Sequence, residues 1–87
     1  MTFRLIDESE RVREMAELAF VGPRKGRPAA LIQLRDFSPP ACTAAEDALW
    51  NSGEPGLAIT AAVDEYRRQR QLAIAYRRRL GLPTEET

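Results

Sequence analysis

Apolar positions along the chain fall into runs separated by four breaks. These are Gly22–Pro28, Ser38-Pro39-Pro40, Asn51–Gly56 and Gly81-Leu82-Pro83, each rich in residues that interrupt regular structure. Before the first break, Val12, Met15, Ala16 and Ala19 sit at i, i+3, i+4 and i+7, which places them on one helical face. Asp7 and Glu10 have capping-box spacing, so a helix is expected from about Glu8 to about Val21. Glu10, Glu14 and Glu17 form an acidic stripe on it. A rival reading ends this helix near Ala16 and turns Leu18–Val21 into a strand hairpinned onto Ala29–Leu34.

Between the first two breaks, Ala30, Ile32 and Leu34 alternate with Leu31, Gln33 and Arg35, the period of a strand over residues 28–37. Thr2 to Ile6 reads as a second short strand, with Phe3 and Leu5 to one side. Two such segments make at most a two-stranded ribbon. The next helix has two candidate starts, Thr43 with Glu46 as a capping box or Ser38 as N-cap with Pro39 at the first helical position. It is expected to end near Ser52, with Gly53 as the left-handed residue beyond it. Ala41, Ala45, Ala48, Leu49 and Ser52 share a face, with Trp50 beside it.

The last run, from Leu57 or Ala61 to Leu80, contains neither Gly nor Pro. Gly81 can close it, Leu82 can fold back toward Tyr76, and Pro83 blocks continuation. Ile59, Val63, Tyr66, Ala73 and Leu80 form an apolar stripe that Leu72, Ala75 and Tyr76 widen. Such a helix is about 30–35 Å long, longer than a domain this small needs to cover its own core.

The fold class expected is therefore mainly α: a small three-helix domain with a long C-terminal helix and at most a short ribbon from residues 2–6 and 29–35. Residues 1–83 form one domain and 84–87 an acidic disordered tail. The expected core is Leu18, Phe20, Leu49, Trp50, Val63, Tyr66 and Leu72. At 87 residues the chain is one domain with a thin core. One cysteine, Cys42, and no histidine leave neither a disulfide nor a structural zinc site as a staple. Oligomerisation is the remaining route, and a homodimer through the long helix is expected. The single cysteine and the absence of a signal-like or membrane-spanning apolar stretch point to the cytoplasm.

Charge balances overall, thirteen basic against thirteen acidic residues, which gives no general attraction to nucleic acid. It is distributed in blocks. Residues 24–37 carry four basic residues and one acid, and residues 57–83 carry six Arg and two acids. The flanking segments are acidic. If the two basic blocks meet in space, they form one patch.

Without histidine, the commonest general base is missing, and with it the usual nucleophilic triads and His-metal sites. Cys42 lies near a helix N-terminus, which favours its thiolate, but a lone free cysteine reads first as a small buried hydrophobe. The acidic stripe reads as a solvated helix face. Gly53-Glu54-Pro55-Gly56 has the spacing of a KH-domain loop but the wrong inner residues for phosphate, and residues 44–66 make a poor helix-turn-helix. No catalytic residue, cofactor or metal is expected.

Two features remain. Gly22–Pro28 is a basic turn in which Arg24, Lys25 and Arg27 could contact an anion. On the long helix, Arg67, Arg70, Gln71, Arg77 and Arg78 crowd about half the circumference, with Tyr66 at the edge; Arg and Tyr are enriched in interface hot spots. The expectation is a small accessory protein of bacterial or phage type (adaptor, assembly factor or inhibitor). It would bind a larger protein through Tyr66, Arg67, Arg70, Gln71, Tyr76, Arg77 and Arg78. The alternative is a nucleic-acid-backbone binder that joins the 22–28 loop to the helix arginines.

Overall fold

Each break in the apolar pattern becomes a helix boundary, and the segment expected as a strand becomes a helix as well. The computed structural model describes the backbone of residues 4–86 and the side chains of residues 6–84. It contains four helices: α1 (Ser9–Phe20), α2 (Arg27–Phe37), α3 (Pro39–Ser52) and α4 (Pro55–Arg79). The expected count of three is corrected by α2. Ala30, Leu34 and Phe37 also lie at i, i+4 and i+7, so this short stretch fits either period. Pro28 in the first helical turn, where its missing amide costs nothing, marks the helix. Pairing of 29–35 in a ribbon is excluded. The only strand pairing among the described residues is a two-residue parallel contact, β1 (Arg4–Leu5) against β2 (Glu85–Glu86). Thr2 and Phe3 of the expected first strand lie outside the described residues.

The connections are tight. At the end of α1 the amides of Val21 and Gly22 both donate to the Glu17 carbonyl. A Cβ on Gly22 would come within 2.7 Å of the Leu18 carbonyl oxygen, so only glycine fits. Arg27 Nε donates to the Gly22 carbonyl at 2.6 Å and ties the loop to α2. Ser38 alone separates α2 from α3, with Pro39 opening α3 as its first residue. Gly53, at φ 72 and ψ 6, caps α3 in the left-handed region, its amide on the Leu49 carbonyl. Pro55 then opens α4 at once, so α3 and α4 form an antiparallel hairpin.

The core between the helices is an alanine seam. Ala16, Ala41, Ala45, Ala58 and Ala62 are fully buried and allow close helix approach, with Val12, Met15, Leu34, Cys42 and Val63 filling the spaces. Phe20, Leu31, Phe37, Leu49, Ile59 and Tyr66 close the flanks. The expected core needs correction. Val63 is buried and Phe20, Leu49 and Tyr66 are half-buried, but Leu18 and Leu72 are half-exposed and Trp50 is 89% exposed. At 100° per residue, Trp50 lies on the side of α3 opposite Ala41, where nothing packs.

Both neighbours of α4 run antiparallel to it and stop at the same level. Ile59 shares a groove with Val21 and Gly22 at the end of α1. About two turns later, the Tyr66 hydroxyl accepts the Glu8 amide at 3.1 Å, at the start of α1. The start of α3, Pro39 and Pro40, lies beside Glu65. From about Arg70 onward α4 therefore extends past the other three helices, an overhang of roughly 15 Å. The dimensions agree: 45 × 24 × 17 Å, with a radius of gyration of 14.3 Å against about 12 Å for a compact chain of this length. The accessible surface, 5936 Å², exceeds the roughly 5200 Å² expected for this mass. No helix among the described residues is long and apolar enough to cross a membrane.

Candidate functional site: the overhanging half of α4

The overhang has two unlike faces. One carries Arg70, Ile74 and Arg77 at i, i+4 and i+7 and is turned to the terminal segments. Asp7 is close enough to Arg70 and Arg67 to feel both charges. Arg77 Nη2 donates to the Pro83 carbonyl at 3.1 Å, and Ile74 is buried between these contacts. Chain reversal at Gly81 makes this possible. Its φ of 72 and the bonds Gly81 N–H to the Arg78 carbonyl and Leu82 N–H to the Arg77 carbonyl make the Schellman ending expected from Gly81-Leu82-Pro83.

The other face is bare. Leu72, Tyr76 and Leu80 follow one another at four-residue steps and are 51%, 55% and 54% exposed. Ala73 and Ala75 beside them are exposed too. Leu72, Ala75, Tyr76 and Arg79 line a shallow recess of about 420 Å³. Toward the body, the same face continues through Arg68 to Glu65. Arg68 grips Glu65 through two hydrogen bonds, 2.7 and 2.9 Å, which hold the carboxyl of Glu65 below its ordinary range. The Arg79 guanidinium stands 5.9 Å from the centre of the Tyr76 ring.

The residues expected as one partner-binding set are thus divided. Tyr66 belongs to the fold. Its hydroxyl accepts the Glu8 amide and donates to the Ile6 carbonyl at 3.4 Å, and its ring stacks on Phe37 at 6.0 Å. Arg70 and Arg77 are half-buried, and both, like the exposed Arg78, are engaged within the chain. Arg67 and Gln71 are exposed on the side near the terminal segments. Tyr76 alone of the set belongs to the bare stripe. Leu72, Leu80, Arg68 and Arg79 complete it; none of the four is in the expected partner-binding set, although Leu72 and Leu80 belong to the expected apolar stripe. The signal for them was an apolar stripe that continues past the level where α1 and α3 end.

The basic loop does not join the arginines. Arg24 and Lys25 are exposed and Arg27 is held by the Gly22 carbonyl. Gly22 lies level with Ile59, so Arg67 to Arg79 stand roughly 12–30 Å farther along α4. Beside the loop, Leu18, Val21 and Ile59 floor an open groove of about 640 Å³ edged by Glu14 and Glu17.

Cys42 is fully buried and its thiol donates to Glu46 Oε1 at 3.0 Å. Burial first, and then Glu46, push its pKa up to about 11. The expected helix-terminus activation of the thiolate is outweighed, because desolvation penalises the charged form more. Among the described residues no three Cys, Asp or Glu side chains are placed to hold a metal ion. Comparison with protein-family models, with curated proteins and with solved structures finds no match to this chain, so its surface carries the functional reading.

Proposed function

We propose that the chain is a small non-catalytic protein-interaction module, an accessory protein of the adaptor, assembly-factor or inhibitor kind, that docks through the bare face of the α4 overhang. One observation carries the reading: Leu72, Tyr76 and Leu80 form a continuous apolar stripe beyond the reach of the other helices. An apolar stripe of this kind on a projecting helix is suited to helix-to-helix or helix-in-groove recognition. Arg68 and Arg79 at its edge favour a partner with a carboxylate beside an apolar contact.

A photo-crosslinking side chain at Tyr76, introduced in the native host, tests this. Covalent protein adducts are expected, and they should disappear when Leu72 and Leu80 are both changed to Asp while the helical circular dichroism is kept. Charge reversal at Glu14, on α1, should leave them in place. Absence of any adduct, or adducts indifferent to Leu72 and Leu80, would reject the reading. Retention on mixed DNA or RNA that weakens by orders of magnitude between about 50 and 200 mM salt would replace it with nucleic-acid binding.

A further inference from the structure

The bare face of α4 has the charge pattern of a surface that fits itself. Along it, in order, stand Glu65, Arg68, Leu72, Ala75 with Tyr76, and Arg79, at alternating steps of three and four residues. That spacing keeps one seam in register along two nearly antiparallel helices. When a second copy of the helix is laid antiparallel, centred on Leu72, Leu72 meets its own counterpart. Arg79 then meets the second copy's Glu65, where it joins that copy's own Arg68 on the one carboxylate, and Arg68 meets the second copy's Tyr76. By symmetry the Arg79–Glu65 and Arg68–Tyr76 contacts each occur twice, while the Leu72 contact lies on the two-fold axis and occurs once. The ends also have room: the recess of about 480 Å³ beside Glu65, lined by Pro39, Pro40, Thr43, Ala44 and Asp47, lies where the tip of the second copy's α4 would arrive.

We infer that the partner of this face is a second copy of the chain, seated antiparallel about Leu72 to form a two-fold dimer. The inference rests on the reading of the α4 overhang as a docking surface and names its occupant. Two facts carry it. The overhang leaves the two bodies at opposite ends, so α1, α2 and α3 need not move. The charges on the seam are complementary only in the antiparallel arrangement, since a parallel one sets Arg68 and Arg79 against themselves. The overlap from Glu65 to Arg79 is roughly 21 Å long. A seam this short is smaller than a standard interface, so the dimer is expected to be weak, with a dissociation constant on the order of 10–100 µM.

A charge exchange tests register and occupant together. Sedimentation of the full chain up to about 500 µM should show mass rising from one chain toward two. Arg79→Glu alone sets a new carboxylate against Glu65 of the other copy, twice per dimer. Glu65→Arg alone sets a new guanidinium against Arg79 of the other copy, again twice. Each variant should lose about tenfold or more in self-association. Mixed in equal amounts, the two variants pair like-charged ends with their opposites, so the mixture should recover the mass that neither variant reaches alone. Circular dichroism confirms that each remains folded. A chain that stays monomeric throughout this range overturns the inference, as does a dimer unaffected by Arg79→Glu or a mixture that fails to recover. If the chain stays monomeric while the Tyr76 probe still captures another protein in a Leu72-dependent way, the self-pairing falls and the docking surface stands. If both are absent, both fall.

Discussion

The two halves of α4 solve opposite problems with the same backbone. Near its start, Ala58, Ala62 and Val63 are buried against α1 and α3, and most of the side chains that touch neighbours are small. Beyond Arg70 the residues on the bare stripe grow to Leu72, Tyr76 and Leu80, and they face solvent. Where the fold needs close approach it uses methyl groups. Where it has no companion it leaves large apolar side chains on display. Size along one helix thus distinguishes a surface already satisfied from one that still has apolar area to bury.

The sharpest way to break this contrast is a pair of truncations. Leu34→Ala, at a fully buried position of α2, should cost about 2–5 kcal/mol and lower the melting temperature by about 10 °C or more. Leu72→Ala should change monomer stability by no more than about 0.5 kcal/mol. Equal losses in thermal denaturation at low concentration would mean that the overhang is part of the core.

A middle-sized effect lies at the joint between the halves. Tyr66→Phe keeps the stack on Phe37 but removes the hydroxyl that bridges Glu8 and Ile6. It should cost about 0.5–1.5 kcal/mol. Amide exchange should quicken first at Glu8, and an unchanged Glu8 amide would remove Tyr66 from its role as the latch of α1 onto α4.

The smallest effect is electrostatic. The Ser9 amide donates to the Asp7 carboxylate at 3.0 Å, and this bond, helped by Arg70 and Arg67, holds its pKa below the ordinary 3.8. A carboxyl depressed in the folded state stabilises above its unfolded pKa and loses that contribution as pH falls through the folded value. Asp7→Asn should therefore lower the melting temperature slightly near neutrality, and the gap to the parent should close as pH falls through the depressed folded value. A gap that widens in acid would reverse the sign assigned to Asp7.

Much of the helical skeleton was legible in the residues. Val12, Met15, Ala16 and Ala19 announce α1 and all four are buried. Gly53, Gly81 and the Ser38-Pro39 step set boundaries through their own backbone chemistry, which needs no tertiary context. Residues 28–37 mislead because so short a stretch carries both a two-residue and a 3.6-residue period, and the apolar alternation hides the meaning of Pro28. The core misleads for a different reason. Hydrophobic size is a poor guide to burial in this chain, because close helix contact selects alanine and leaves Trp50 and Leu72 outside. The length of α4 and its surplus stripe are readable in advance. Which arginines fold against the termini is not, since that depends on where the chain returns after Gly81.

The alanine seam makes the body fragile in one direction. Alanine has almost no rotamer freedom to lose on folding, so the seam holds α1, α3 and α4 together at little entropic cost. It also has little left to remove. Truncation there opens only a methyl-sized gap, whereas any added carbon must push two backbones apart. Random change would therefore harm the body chiefly through enlargement, while the projecting half of α4 can vary in size and remain folded, free to drift toward new recognition.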